Sequence, residues 1–349
     1  MTEQEYRADS EHLNYSLLKQ LDKHPSNVIS NEEVWNEGME FGDIVDILAT
    51  NPDSFDEKYA IINFEKPSGQ VLQLADYVYN LAIRNNEGFD KILYESHVLQ
   101  GIDDLGIFKT PKDDNKRKTK LEENNFWDYL AFLFESEGKR VIDSDRYMEC
   151  EIAVSSLQSH PFTAGYFHSI PSDVQVFDQV PFFAELSGVK FKVLVDRLLV
   201  NLNKNIIEPV DLKTGWSEVE NFPYTFFNQR YDIQCSLYTD VITYGKPENE
   251  ALRAILEQNK NINIEPYKFI VINSKPPYNC AIWSPDKRVL NHGRIGGRLY
   301  PSGKHRKGYV RLATELKWHQ DNDLWDYPKE IYDNNGHMTI EHPMENNVS

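Results

Sequence analysis

The hydrophobic pattern changes character near the middle of the chain, from helical spacing to strand-like runs. In the first half, apolar residues recur three or four positions apart, which is the spacing of one helix face. The predicted helices cover residues 16–21, 40–48, 71–83, 126–134 and 147–157. Residues 102–125 are polar and rich in turn formers, so this segment is predicted to be a mobile loop.

The second half contains runs of Val, Ile, Leu and Phe that are separated by turn residues. The runs at 174–186, 189–200 and 206–212 predict three strands joined as an antiparallel meander. A helix over 228–242 and an apolar strand over 267–273 are predicted to follow. Helices that flank and interrupt a mixed sheet indicate an α/β or α+β fold.

This pattern predicts one domain over residues 1–349, without an internal repeat. Within it we expect a mainly helical part (1–165), a sheet core (166–285), a basic helical and loop segment (286–330) and a polar tail (331–349).

Composition narrows the class of protein. The 349 residues are 40% hydrophobic, which suffices for a core, and the net charge of −18 argues against a protein that coats nucleic acid with its whole surface. No long apolar run is present and the amino end is polar, so we expect a cytoplasmic protein with no membrane partner. Three widely spaced cysteines cannot alone supply a four-thiolate iron–sulfur cluster.

Three ionisable residues lie where the strand pattern expects core. Asp211 and Lys213 are two apart and therefore share a strand face. If the hairpin is symmetric about residues 203–204, Asp196 faces Asp211 with Cβ atoms roughly 5 Å apart. Two facing carboxylates need a positive group between them, and a divalent cation beside Lys213 fits. Pro209 lacks an amide donor, so a bulge there could shift this register.

Two carboxylates and a lysine around Mg²⁺ suit phosphodiester hydrolysis, because the metal activates water and the ammonium stabilises developing negative charge. The alternative is that both aspartates are exposed hairpin residues and Lys213 is a solvated neighbour. Further along, Gln234 and Tyr238 lie four apart on a helix whose apolar stripe is Ile233, Leu237 and Val241. This polar pair could bind phosphate or hold the lysine, or be an ordinary helix edge.

The order of these residues resembles a known nuclease superfamily. Asp196, fourteen further residues, Asp211-Leu212-Lys213-Thr214 and then Gln234 and Tyr238 are similar to the PD-(D/E)XK superfamily in its RecB-like branch, and within it to the RecE-type exonuclease VIII group. Weaker matches follow in the order of that group, at residues 15–19, 24–25, 41–48 with Pro52 and Phe55, 116–120, 138–142, 160–161, 269–272 and 276–278.

The resemblance implies a restriction-endonuclease-like core and roles for individual residues. Asp196, Asp211 and the backbone carbonyl of Leu212 would bind Mg²⁺, with Mn²⁺ as a substitute, and Lys213, Gln234 and Tyr238 would complete the catalytic set. Glu185 would be an extra acidic participant or a plain surface residue. Asp46 stands where the family has a histidine ligand; it would be a hard-oxygen replacement, or the matching of this helix is wrong.

Positive charge is concentrated in two segments. Residues 287–317 hold nine Lys or Arg against one acid, and 109–120 hold six against two. Such segregation suits a channel for DNA, although a charge run is commonly a solvated face. The candidate DNA-binding residues are Lys116, Arg117, Lys118, Arg294, Arg298, Lys304, Arg306, Lys307 and Arg311. Gly303-Lys304 lacks the pattern of a phosphate loop, so no ATP-driven motor is expected.

The sequence therefore favours a Mg²⁺-dependent exodeoxyribonuclease acting on double-stranded DNA ends. The resemblance implies 5′→3′ resection for recombination, a single-strand annealing protein as partner, and a ring-like homo-oligomer of three or four subunits. Two alternatives are an endonuclease or flap-type nuclease of the same fold, and a DNA-binding protein that has lost catalysis.

Overall fold

The computed structural model describes residues 3–30, 36–110, 112–136, 138–299, 303 and 305–338. The chain divides into two compact units, which are described separately. One unit comprises residues 1–42 and 156–349, and the other comprises residues 43–155.

Helices are distributed along the whole described chain. Short 3₁₀ turns lie at Pro52–Ser54, Phe89–Lys91 and Val219–Asn221, and a π-helical turn spans Tyr94–Val98. The α-helices are α1 (Glu3–Ala8), α2 (Tyr15–Lys23), α3 (Ser26–Ser30), α4 (Glu37–Thr50), α5 (Phe55–Lys58), α6 (Gly69–Arg84), α7 (Leu99–Leu105), α8 (Asp114–Glu122), α9 (Phe126–Glu135), α10 (Ser144–Ser159), α11 (Ala164–Phe167), α12 (Phe222–Asn228), α13 (Tyr231–Tyr244), α14 (Glu250–Gln258), α15 (Lys287–Ile295), α16 (Tyr309–Asn322) and α17 (Lys329–Asp333).

Strands concentrate in the second half, as the run pattern predicts. They are β1 (Tyr59–Ile62), β2 (Arg140–Asp143), β3 (Val174–Leu186), β4 (Val189–Asn201), β5 (Ile206–Gly215), β6 (Lys246–Pro247), β7 (Asn263–Ile264), β8 (Lys268–Asn273), β9 (Cys280–Trp283), β10 (Gly296–Arg298) and β11 (His305–Lys307).

The unit of residues 1–42 and 156–349 is built on a seven-stranded mixed sheet. Its order is β6-β3-β4-β5-β8-β9, and β7 also pairs with β5. The antiparallel meander of β3, β4 and β5 is confirmed. β8 joins parallel to β5, which requires the long crossover that contains α12, α13 and α14. The predicted α/β class, with helices flanking a mixed sheet, is confirmed.

Three helices bury their apolar faces on the meander. The predicted stripe Ile233, Leu237 and Val241 on α13 is fully buried against strand residues such as Val193 and Val195. Leu18 and Leu21 of α2 join the same cluster, as do Leu312 and Leu316 of α16. Each such side chain contributes roughly 1.5–3 kcal/mol on burial, so this face fixes where α13 lies on the sheet.

Residues 1–42 belong with the sheet, whereas the expected helical part ran from 1 to 165. Leu13 forms a bridge with Phe191 of β4, and its amide donates to the carbonyl of Lys190 at 2.9 Å. This backbone pairing between distant segments is invisible in the local pattern of residues 11–23.

The unit of residues 43–155 has its own core. Buried side chains of α6, including Leu74 and Val78, pack with Phe126 and Leu130 of α9. β1 and β2 form a separate parallel pair.

The expectation of a loop over residues 102–125 was wrong. α7 ends at Leu105, where Gly106 adopts φ +63°, and α8 covers Asp114–Glu122. α8 is capped by the side chain of Asp113, which accepts hydrogen bonds from the amides of Asn115 and Lys116. Because α8 buries only Leu121, it has no apolar periodicity that a sequence pattern would detect.

Among the described residues, no helix combines the length and the apolar character that crossing a bilayer requires.

Candidate active site

The pairing of β4 with β5 brings the two aspartates to adjacent positions. The pairs run from Asn201 with Ile206 to Arg197 with Val210, in the register expected for a hairpin symmetric about residues 203–204. Pro209 pairs with Leu198 without shifting that register. Asp196 and Asp211 are the next residues of each strand, directly beyond the last pair. The predicted facing register is confirmed up to the aspartates.

Asp196 also lies at an interruption of the ladder on its other side. Asp178 pairs with Arg197 and Val180 pairs with Val195, so Gln179 of β3 stands opposite Asp196 outside the paired positions. Gln179 has φ +49°, an uncommon conformation for a non-glycine residue in a strand. Strained backbone of this kind concentrates at functional sites. At Asp196 the β4–β5 ladder thus ends and the β3–β4 ladder is interrupted.

Asp211 is a buried carboxylate surrounded by donors. Its side chain is 1% exposed. Gln234 Nε2 donates to Oδ1 at 2.6 Å, and the Tyr267 hydroxyl donates to the same oxygen at 3.2 Å. Lys213 Nζ lies 2.5 Å from Oδ2. These partners offset the cost of burying the charge.

Lys213 is held as an ammonium. Burial lowers its pKa, but the charges of Asp211, Tyr231 and Asp196 outweigh this, so the pKa lies above its usual value. Nζ also lies over the Tyr231 ring, 5.0 Å from its centroid, in a cation–π arrangement. At neutral pH Lys213 therefore offers positive charge and not a basic amine.

The helix α13 contributes Gln234 and Tyr238 from one side of its buried stripe. Gln234 binds Asp211 directly, whereas Tyr238 packs edge-on against Tyr267 with ring centroids 5.7 Å apart. Burial raises the pKa of Tyr238, and the charges of Asp196 and Asp211 raise it further. We call Asp196, Asp211, Lys213, Gln234, Tyr238 and Tyr267 the Asp211 cluster.

The donor set of the Asp211 cluster fits a magnesium ion. Asp196 and Asp211 supply hard carboxylate oxygens, and Mg²⁺ commonly needs only one or two protein carboxylates besides water and substrate phosphate. Gln234 Oε1 is buried and has no hydrogen-bond partner among the described residues, so it is a ready acceptor beside them. Among the described residues, no group of three or more His, Cys, Asp or Glu side chains is placed to hold a metal ion.

Three other candidate metal-binding groups differ in where the structure places them. Leu212 lies between Asp211 and Lys213 on β5, so its carbonyl belongs to the same stretch of strand. Glu185 is exposed and pairs with Lys190, six residues from Asp196 along β4, or about 20 Å at the rise of a strand. The structure does not bring Glu185 to the cluster. Asp46 lies on α4, in the part of that helix that belongs to residues 43–155.

Most candidate DNA-binding cations of residues 287–317 are engaged in internal ion pairs. Arg294 Nε lies 2.7 Å from Asp240 Oδ2, and Arg306 Nη1 lies 3.8 Å from Asp22. Lys307 and Arg311 share Glu315 and Glu330 at 2.6–2.7 Å. Asp22, Asp240 and Glu330 from other parts of the chain, together with the segment's own Glu315, thus neutralise much of a segment whose sequence carries a charge of +8.

A second group of cations is exposed. Lys287, Arg288 and Arg298 have exposed side chains and no ion pair within the described ranges. Lys304 lies outside the described residues. These three residues are the better candidates for contacting a polyanion.

The basic segment of residues 109–120, in the unit of residues 43–155, also contains both ion-paired and exposed cations. On α8, Arg117 pairs with Asp114 at 3.0 Å, and Lys118 pairs with Glu95 at 3.2 Å and lies over the Tyr94 ring. Lys116 is exposed. Only part of the positive charge on this helix is therefore available to a ligand.

Sequence reasoning missed two tyrosines of the site. Tyr267 precedes β8 and reaches Asp211 because β8 pairs in parallel with β5, a long-range pairing that no local pattern reveals. Tyr231 begins α13 and carries the ammonium of Lys213 on its ring. The one available signal was the density of aromatic residues around 222–231 and 267–269.

The chain matches no protein-family model, and no curated protein matches it. Among solved structures, it is similar to a protein from Eubacterium rectale that is described as a "Putative exonuclease". The similarity covers 99% of this chain and 96% of that chain, with 12% identity and a TM-score of 0.39.

Proposed function

We propose that this chain is a metal-dependent nuclease of the PD-(D/E)XK type that degrades double-stranded DNA from its ends. The observation that carries the proposal is the Asp211 cluster. Asp196 and Asp211 lie directly beyond the last pair of the β4–β5 ladder, and the ammonium of Lys213, two residues along β5, contacts Asp211.

The chemistry of the cluster suits phosphodiester hydrolysis. A bound Mg²⁺ would supply charge neutralisation and a more acidic water at Asp196, Asp211 and the carbonyl of Leu212. Lys213, as an ammonium, would stabilise the negative charge that develops on the phosphate oxygens. Gln234 and Tyr267 would keep the Asp211 carboxylate oriented, since both donate to its Oδ1.

A second candidate function is binding of DNA without cleavage. One observation favours it: Gln234, Tyr267 and Lys213 already engage both oxygens of Asp211. A metal ion at Oδ2 would share that oxygen with Lys213 or displace the ammonium. In a nuclease-derived binding protein, Lys213 would stay bound to Asp211 and no metal ion would bind there.

Digestion of linear and closed circular duplexes side by side, with Mg²⁺ and with Mn²⁺, separates these functions. An exonuclease degrades the linear DNA and leaves the circle intact, whereas an endonuclease cuts both. DNA binding without release of nucleotides under either metal would establish the second candidate and refute the first.

The finer features follow from the sequence resemblance and are proposals of the same kind. They are 5′→3′ polarity, a role in recombination with a single-strand annealing protein, and a ring-like trimer or tetramer. Duplexes labelled at the 5′ or the 3′ end test the polarity, and sedimentation of the purified chain tests the oligomer.

The role of Asp46 is tested through metal dependence. If Asp46 is a ligand, Asp46→Ala should raise the Mg²⁺ concentration needed for half-maximal cleavage, and Asp46→His should restore activity with Mn²⁺. An unchanged metal requirement would show that Asp46 is an ordinary helix carboxylate.

A further inference from the structure

An aromatic pocket opens in the sheet-containing unit, with a cavity volume of about 300 Å³. Ligand pockets in proteins start at about this size, so it has room for one planar ring with a substituent. Its lining comes from α12, β8, β9 and the residues that lead into α15: Phe222, Pro223, Phe226, Phe227, Phe269, Trp283, Ser284, Pro285, Asp286 and Val289. We call this cavity the aromatic pocket.

The walls of the aromatic pocket are held in place by one another. Phe226 packs edge-on against Phe269 with centroids 5.4 Å apart, and Phe222 packs edge-on against Phe226 at 5.9 Å. Trp283 lies tilted against Phe222 at 6.3 Å. Because these rings support each other, a flat ligand would not have to order them, which lowers the entropic cost of binding.

The aromatic pocket adjoins the Asp211 cluster through shared residues. Phe269 pairs with Asp211 across the β5–β8 ladder. Tyr231 stacks on Phe269 with centroids 5.7 Å apart, and the same ring carries Lys213 Nζ at 5.0 Å. One aromatic ring, Tyr231, therefore lies between the pocket wall Phe269 and the ammonium of Lys213, which makes the pocket an immediate neighbour of the Asp211 cluster.

Positive charge lies next to the pocket and is available. Lys287 and Arg288 follow the lining residue Asp286 and precede the lining residue Val289. Both side chains are exposed and have no ion pair among the residues that the structure describes. An aromatic wall beside exposed cations is the arrangement that binds single-stranded nucleic acid by stacking and phosphate contacts.

We propose that the aromatic pocket stacks one nucleobase of the DNA strand near its cleaved end. This inference rests on the proposed function, because DNA is the ligand of both sites. The polar side-chain groups of the lining are few: Ser284, the Trp283 indole N–H, which has no hydrogen-bond partner among the described residues, and Asp286, whose Oδ1 already accepts from the amides of Arg288 and Val289. The mainly aromatic lining therefore favours stacking, which every base can provide.

The test couples a change in the protein to a change in the DNA. Affinity is measured in Ca²⁺, which prevents cleavage, for a short single strand and for versions with an abasic site at each position near the end. For wild type, base loss at one position should weaken binding about fivefold or more, the lower range of base–aromatic stacking. Trp283→Ala should bind intact DNA about as weakly as wild type binds the abasic DNA. In this variant the same base loss should change affinity less than about twofold.

Three further variants test whether the coupling depends on the aromatic wall of the pocket. Trp283→Phe keeps a ring and should retain the coupling, and Tyr224→Ala, an exposed aromatic of α12 that does not line the pocket, should retain it fully. If Trp283→Ala does not fold, Phe227→Ala removes another half-buried wall. Equal losses from the abasic site in wild type and pocket variants, or no sensitive position at all, would overturn the proposal.

Cleavage of linear DNA by wild type, measured separately with Mg²⁺, distinguishes the two proposals. If wild type cleaves DNA but the abasic site and Trp283→Ala show no coupling, the proposed nuclease function stands and the proposed base pocket is refuted. If coupling is found without cleavage, the base pocket stands and the nuclease function is refuted. An apolar protein partner or a second copy in the pocket would appear as absent coupling, which also overturns the inference.

Discussion

The Asp211 cluster and the segment Lys287–Lys317 both place opposite charges in contact, but they acquire those contacts differently. In the cluster, Asp211 and Lys213 belong to one strand, and Asp196 comes from the strand that pairs with it. In the basic segment, Arg294, Arg306 and Lys307 meet acids on α13, α2 and α16.

The comparison shows which charge patterns can be interpreted from sequence. A strand register is a local rule, so residues on a tight hairpin have neighbours that arithmetic can give. Apart from an i, i+4 helix pair such as Arg311 with Glu315, a run of cations has no such rule, because its partners come from whichever elements the fold packs against it. Net charge of a segment therefore overestimates the positive surface that it presents.

The largest expected effect is the loss of cleavage in Lys213→Ala. Because the ammonium acts on the developing charge, the rate should fall by at least about 100-fold to 1,000-fold while DNA binding in Ca²⁺ persists. Lys268→Ala is a matched control, since Lys268 also forms an ion pair on this sheet, with Glu208 at 2.6 Å. Single-turnover digestion measures both. Retention of most of the rate in Lys213→Ala would remove the cluster as the catalytic site.

Arg230→Ala tests whether charge pairs near the basic segment are structural. Arg230 is 3% exposed and pairs with Asp22 and with Asp232, whose side chain is 1% exposed. Removing Arg230 leaves the buried Asp232 carboxylate paired, among the residues that the structure describes, with His292 alone, which should cost about 3–5 kcal/mol of unfolding free energy. Denaturant titration gives the value. Lys317→Ala, whose pair with Asp321 is exposed, should show no measurable change.

When no metal is present, Asp211→Asn and Asp196→Asn should differ in their free energies of unfolding. Repulsion between facing carboxylates alone would make both variants more stable. Since Asp211 contacts Lys213, Asp211→Asn should instead lower the unfolding free energy by about 1–3 kcal/mol, and Asp196→Asn should lower it less. Melting in the presence of a chelator is the measurement. Two variants of equal stability would indicate that Lys213 does not distinguish the aspartates.

The smallest expected effect concerns the exposed cations Lys287 and Arg288. Replacing both with Gln should flatten the salt dependence of DNA affinity by about one unit of slope per lost phosphate contact, with no change in metal requirement. The reversal of Arg306 and Lys307 to Glu is a poorer probe, because Lys307 lies 2.7 Å from Glu315 and from Glu330 and its reversal would bring like charges together. An unchanged slope in the Lys287 and Arg288 variant would place the DNA path elsewhere.

Much of the fold was predictable because its elements follow periodic rules. The apolar stripe of α13 and the three long runs of β3, β4 and β5 each carry many residues of one pattern, and the structure has all of them. α8 was missed because its charged face is held by a cap and one buried leucine.

The candidate site was predictable where it lies on the hairpin and not where it depends on the crossover. Asp196, Asp211 and Lys213 follow from strand spacing, and Gln234 follows from its place beside the buried stripe. Tyr267 depends on the parallel pairing of β8 with β5, and Tyr231 on the packing of α13 above that pair. Glu185 looked close in sequence, but an extended strand carries it away from Asp196.

By itself, the sequence determined the register of one hairpin, the buried face of α13 and the residue types of a magnesium-compatible cluster, because hydrogen-bond ladders and helix periodicity act between near neighbours. The tertiary structure alone decided which cations remain available and where aromatic rings converge. Charge pairing and ring packing join residues far apart in the chain, as Arg230 meets Asp22 and Phe269 meets Phe226, and only the folded arrangement of helices on the sheet sets those distances.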